Sequence, residues 1–304
     1  MLFDVRGIVT TFTTVFLALV LTAGSASASD PLFTEWTELL PGLTSGYDPT
    51  DANDCKSGKI QCVDSVIREM TKRFDRQAAA CDHDAMFALT YLRTTEEYRR
   101  AAVEPGFFAD PGFVNHEDAV FARYYFQAYD AWHRGDVAGT PAAWRVALEA
   151  ADKRQVTANT NILLGLSAHI NRDLPYVLWE IGLVGPDGTS RKADHDKVNE
   201  FLNRVSFYPE ANRRFDSSLP TTEPPGYMAA IQAMREQAWR NAERLRLAEH
   251  DPVQLELVKQ SIENFAYTEA LSIKSSGSYG PLSPNGSSSA ARDAYCSVNW
   301  NRTA

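Results

Sequence analysis

Asn161-Ile-Leu-Leu-Gly-Leu-Ser-Ala-His-Ile-Asn-Arg-Asp-Leu-Pro175 is the stretch that decides the fold. Within Thr157 to Asp173, Ile162, Leu163, Leu166 and Ile170 recur at the spacing of one helix face. The same period returns on both sides. Val63, Val66, Ile67, Met70 and Phe74 form one stripe, and Phe87, Tyr91 and Tyr98 another that starts near Asp82. Pro105 to Asn115 reads as a loop, with Asn115 capping a helix that carries Phe121, Tyr125, Ala128 and Trp132. Thr140-Pro141 has the pattern of a cap and first helical residue, and opens a helical region to about Asn171. A polar loop, Gly185 to Asp194, precedes a short helix through Val198 and Leu202. Tyr208 to Gly226 is expected to be extended, followed by helices over about 227–249 and 252–274, the second started by Asp251-Pro252. No alternating strand pattern, hairpin dipeptide or solenoid repeat occurs. The expectation is an all-α chain: one irregular multi-helix bundle with long surface loops and a disulfide-tethered C-terminal tail.

The ends of the 304-residue chain read differently from its middle. Arg6, the apolar run Ile8 to Leu21 and Ala26-Ser27-Ala28 have the order of a secretory signal peptide over residues 1–28; an uncleaved anchor is the competing reading, although the run is short for a spanning helix. Residues 29–58 form an irregular leader, 59–275 the helical domain and 276–304 a Ser/Gly/Pro-rich tail expected to wander until Cys296 pins it. With 39 acidic and 30 basic residues the net charge is −9, which leaves no broad nucleic-acid footprint. Cleavage would remove one acid and one base and leave that charge unchanged, on a mature chain with no transmembrane segment. Outside the cytosol, Cys55, Cys62, Cys81 and Cys296 are expected to form disulfides. A helix between Cys62 and Cys81 would hold them about 25 Å apart at 1.5 Å per residue. Disulfide α-carbons lie within about 7 Å, which disfavours Cys62–Cys81 among the three possible pairings; of the other two, Cys55–Cys62 as a small staple with Cys81–Cys296 tying down the tail is favoured.

Function in a bundle is betrayed by polar side chains on inward faces. A continuous helix would make His169 and Asp173 neighbours, either as two metal ligands or as a histidine oriented by an acid. The structural alternative is a break at Pro175, with Asp173 capping the next helix and His169 a hydrogen-bonded interior residue. Glu269 sits in the stripe of the last long helix and needs a partner, such as Arg172, or a catalytic role. Asp118 shares the face of Phe121 and Tyr125, or stabilises a first turn. His116 and Glu117 lie beside it, and His83 lies on the side of Phe87 and Tyr91, where Asp82 and Asp84 read as caps. His133, His195 and His250 are expected to face solvent, and Trp132, Trp144, Trp179 and Trp239 to pack. The H-E-x-x-H, G-x-S-x-G, P-loop, G-x-G-x-x-G and Glu-x-x-His patterns are all absent.

The Asn161–Pro175 run, with its Ala168-His-Ile-Asn-Arg-Asp-Leu-Pro175 core, resembles the hallmark segment of an actinobacterial, secreted domain-of-unknown-function family (5995 type). Cys81-Asp-His-Asp-Ala-Met-Phe-Ala-Leu-Thr-Tyr-Leu-Arg93 and Phe121 to His133 fit the same resemblance, which spans about residues 59–275. It implies an all-helical protein and no assigned reaction. His169-x-x-x-Asp173 is also loosely similar to the His-x-x-x-Asp pairs of helical zinc phospholipases C and P1-type nucleases. Those carry two such pairs and an N-terminal tryptophan ligand, where this chain has one pair and an expected start at Ser29-Asp30-Pro31. Two functions follow as expectations. One is a secreted metal-assisted hydrolase, with a divalent metal such as zinc held by His169 and Asp173 with help from Asp118, His116, His83 or Glu269. The other is a non-catalytic extracellular bundle whose inward polar residues are structural.

Overall fold

The computed structural model describes residues 46–280 and 287–302, all within one compact unit. The expected signal peptide and residues 29–45 of the leader lie outside the described residues. The helices are α1 (Ile60–Ala79), α2 (Ala85–Ala102), α3 (Pro111–His133), α4 (Ala142–Asp152), α5 (Ala158–Ser167), α6 (Leu174–Ile181), α7 (Lys192–Leu202), α8 (Tyr208–Arg214), α9 (Tyr227–Ala248), α10 (Pro252–Ser276) and α11 (Ser289–Asn299). Among the described residues there are two isolated β-bridges and no strand, so the all-α expectation holds. No helix there is long and apolar enough to cross a membrane.

The centre of the bundle is a continuous rod, α5 to α6, joined by a π-helical segment, Ala168–Asp173. The amide of Leu174 donates to the carbonyl of His169, five residues back. In an α-helix the ring of Pro175 would collide with the carbonyl of Asn171 and its missing N–H would orphan it. Widening the turn gives that ring room, so the chain passes Pro175 without breaking. Asp173 is therefore inside the rod and does not cap α6. The rod packs against α2, α3, α4, α9 and α10. Gly165 lets α2 approach: a Cβ there would lie 2.3 Å from Cγ of Phe87.

Several boundaries differ from the sequence reading for local reasons. α3 starts four residues before Asn115, because Asp110 accepts from the amide of Phe113 (3.0 Å) and Pro111 fills the first turn. Asn115 is instead buried, accepting from Tyr98 Oη (2.6 Å) and donating to the carbonyl of Gly58 (2.8 Å). The helical region after Pro141 is interrupted at 153–157, where Thr157 caps α5. Tyr208 to Gly226 contains α8. Asp251 caps α10 as expected, accepting from Val253 and Gln254.

Among the described residues of the tail, Ser289–Asn299 form a helix where a surface segment was expected. Ser288 caps α11, and Cys296 on that helix bonds to Cys81, with α-carbons 5.8 Å apart. Arg292 donates to Asn161 Oδ1 (2.7 Å), tying α11 to the central rod. The second disulfide is Cys55–Cys62, so both pairings agree with the sequence reading. Removing Cys81–Cys296 by double alanine substitution is expected to cost about 2–5 kcal/mol in urea unfolding. Removing Cys55–Cys62 should cost less, because it closes a loop of 7 rather than 215 residues.

Candidate functional site

The central rod forms one side of a cavity of about 110 Å³ whose other walls come from α2, α3, α7 and α9. Its lining is mostly aromatic and aliphatic, including Phe87, Phe121, Phe201 and Tyr227. A few polar groups interrupt it: Tyr91, Glu117, Asp118, His169 and Arg235. Three buried polar atoms on these side chains have no hydrogen-bond partner, namely Tyr91 Oη, Asp118 Oδ2 and His169 Nε2. Buried polar atoms are ordinarily paired, so three orphans on one cavity form a preorganised polar end in an apolar space.

His169 is oriented from behind. Its Nδ1 lies 2.9 Å from Asp173 Oδ2. A carboxylate only accepts, so the proton resides on Nδ1 and Nε2 carries the lone pair. The same Asp173 oxygen accepts from Trp144 Nε1 (2.8 Å), and Oδ1 accepts from Arg172 Nη1 (3.0 Å). Arg172 is held in turn by Glu263, the partner that the sequence reading had sought in Glu269. The π segment and the i,i+4 spacing bring His169 and Asp173 onto one face. Phe121 stacks on the imidazole, with centroids 3.5 Å apart and planes 3° from parallel, and Tyr91 meets it edge-on at 4.6 Å. Burial lowers the pKa of His169, and Asp173 works against that shift. The ring is therefore a neutral acceptor.

The acids opposite are displaced the other way. Burial, then the neighbouring Glu117, pushes Asp118 up to about 8. Burial pushes Glu117 up to about 7, opposed by Arg235 and reinforced by Asp194. Asp118 is thus a protonated carboxyl at neutral pH, and α3 presents it in its second turn, beyond the first-turn role that the sequence allowed. Tyr91 is also held well above its usual pKa by burial and by Asp118.

The six sequence-nominated ligands do not meet. His169 and Asp118 line the cavity, and Asp173 stands behind His169. His116 is fully buried, with Nδ1 2.8 Å from the carbonyl of Cys55. His83 lies between Arg292 (3.1 Å) and Asp293 (3.1 Å), where it helps fasten α11. Glu269 is half-buried on α10 and does not line the cavity. Among the described residues, one set of three donors comes within 4.8 Å: Asp84, His133 and Asp152. Asp84 is thus no cap, since its Oδ2 faces His133 Nε2 at 3.2 Å. His133 is half-buried against Tyr129, and His195 is buried beside Arg235, so neither faces solvent; His250 does.

The sequence reading missed Arg235 and the cavity role of Tyr91. Arg235 was visible in principle: it interrupts the stripe Ile231, Ala238, Trp239 and Ala242 of α9 at helical spacing.

A model of a family of unknown function (DUF5995) matches residues 63–275. No curated protein and no solved structure matches the chain.

Two measurements probe this geometry. Between about pH 4 and 8 the native state keeps the Asp118 proton that the unfolded chain has released. Stability should therefore fall as pH rises through that window and level off above it. Asp118→Asn is expected to flatten the slope and to gain stability over wild type at pH 9, with little difference at pH 4, in urea unfolding. Glu117 titrates with the same sign and leaves a residual slope. Gly165→Ala should cost about 1–3 kcal/mol by forcing the Phe87 side chain to shift from its packed position, readable as a lower urea midpoint.

Proposed function

Since the chain belongs to the DUF5995 family, whose function is unknown, we propose a reading from the cavity itself: an enzyme that moves protons on a small, mainly apolar molecule. His169 Nε2 is the general base and Asp118 the general acid. The observation that carries this is the convergence of three unpartnered buried polar atoms, on Tyr91, Asp118 and His169, in an otherwise apolar cavity. A base needs a free lone pair and a fixed orientation, and Asp173 supplies the orientation. An acid near neutral pH needs a raised carboxyl pKa, and burial supplies it. The lining threonines do not serve as nucleophiles here, since Thr94 and Thr95 donate their hydroxyls to the carbonyls of Thr90 and Tyr91. The chemistry supported is proton abstraction paired with proton donation, with or without a water as the attacking group. Export agrees with the two disulfides, which persist in oxidising compartments.

The metal-assisted hydrolase expected from the sequence is less well supported at His169 and Asp173, because both oxygens of Asp173 are taken by protein donors. Asp84, His133 and Asp152 support a separate reading, a bound divalent cation. Metal analysis of untagged protein before and after chelation tests it: less than a tenth of an equivalent of zinc or manganese ends that reading.

For the acid–base reading, a panel of small organic compounds incubated in D2O is followed by proton NMR for exchange or turnover. Wild type is expected to act on at least one compound, and His169→Gln to lower the rate about 10²–10⁴-fold with unchanged circular dichroism. Asp118→Asn should also slow it and remove the high-pH limb of its profile. Binding without turnover by wild type would favour the non-catalytic alternative, and an unaffected His169→Gln rate would defeat the assignment of the base.

A further inference from the structure

Arg235 reaches the cavity wall from α9 and is 6 % exposed. Its hydrogen bonds go to neutral acceptors: Nε to Asn199 Oδ1 (3.1 Å) and Nη2 to the backbone carbonyl of His195 (2.6 Å). No carboxylate lies within 4.0 Å of its guanidinium among the described residues, in contrast to Arg73, whose guanidinium is held by Glu69 and Asp130. Glu117 and Asp196 act on Arg235 only from beyond contact distance, and a buried guanidinium with no carboxylate in contact is unfavourable; its usual answer is an anion in bidentate contact. The cavity is the space from which such an anion can reach it.

We propose that the cavity takes a small carboxylate with a short alkyl chain, its acid group on Arg235 and its apolar body against Phe121 and Tyr227. This rests on the reading of the cavity as a substrate site, and places the reacting end of the molecule at His169 and Asp118. The size is set by the volume of about 110 Å³, below the roughly 150 Å³ of a cavity that binds benzene, which leaves room for a short chain with its acid group and not for a ring that carries one. A carboxylate fits better than a phosphate. A phosphate carries more charge and more acceptor oxygens, and Arg235 is the one cationic side chain of the lining. An amine would seek Glu117 and Asp118 and leave Arg235 without a carboxylate in contact.

The test is calorimetric titration at pH 7 with butanoate, pentanoate, pentanamide and pentylamine. At least one of the two acids is expected to bind wild type ten or more times more tightly than the amide and the amine. Arg235→Met, which fills similar space without charge, should lose that preference while still binding the amide. Equal binding of acid and amide, tighter binding of the amine, no measurable binding of either acid, or a preference that survives in Arg235→Met would each overturn the proposal. Circular dichroism checks the variant; should it not fold, the acid-to-amide ratio of wild type decides alone. The two readings fail separately. Acids that bind but undergo no His169-dependent change retain this inference and remove the acid–base reading. Turnover confined to neutral compounds does the reverse.

Discussion

The rest of the structure depends on one buried carboxylate. Asp173 has no exposed surface and accepts from three side chains on two segments: His169 and Arg172 of its own π segment and Trp144 on α4. A lone ionised carboxylate in such a place would be prohibitive, so all three donors must be in position when the core closes. That requirement fixes the rotation of the central rod. It also explains the π segment, since Asp173 and Pro175 must be continuous with the helix that carries His169. Breaking the chain at Pro175 would release the proline strain and lose the alignment of His169.

Around that point the aromatic packing and the polar groups have divided labour. Phe121 and Tyr91 confine the imidazole, Phe87 fills the notch left by Gly165, and the apolar lining keeps the dielectric low. Low dielectric is what raises Asp118 and Glu117. The same environment holds Arg235 with no carboxylate in direct contact, so the lining sets a protonated Asp118 and a raised Glu117 against an incompletely compensated cation. Such a balance would be wasteful in a core built for stability alone, where apolar residues of similar volume would do as well or better.

Much of this was legible in the sequence, and the failures have identifiable causes. Helical periodicity located nearly every element, because an apolar face must be buried whatever its neighbours are. Helix rise removed one of the three disulfide pairings, and the favoured one of the remaining two is the one observed. His169 and Asp173 were placed together by i,i+4 spacing. What local rules could not supply was anything set by tertiary context. Pro175 signals a helix end, and only the surrounding helices hold the widened turn that lets it continue. Pro111 and Gly112 read as loop although Asp110 makes them a helix start. The Ser/Gly/Pro composition of the tail hid α11, whose burial rests on Arg292 and Cys296 reaching distant partners. His83 and His116 looked like ligands because imidazoles on inward faces do, yet each is satisfied by its own neighbour.

The saturation of Asp173 also bears on the kind of chemistry the rod supports. A metal ligand must offer a lone pair to the cavity, and both of its oxygens are already engaged by protein donors. What remains open on this pair is a single atom, His169 Nε2. One nitrogen in a largely apolar wall is a weak metal site but an effective proton acceptor, since its tautomer is set and no water need be displaced from a second ligand. The carboxyl that could have served as that second ligand, Asp118, is instead held protonated by burial. Metal binding would first have to ionise it against the same low dielectric. Proton transfer needs it as it stands.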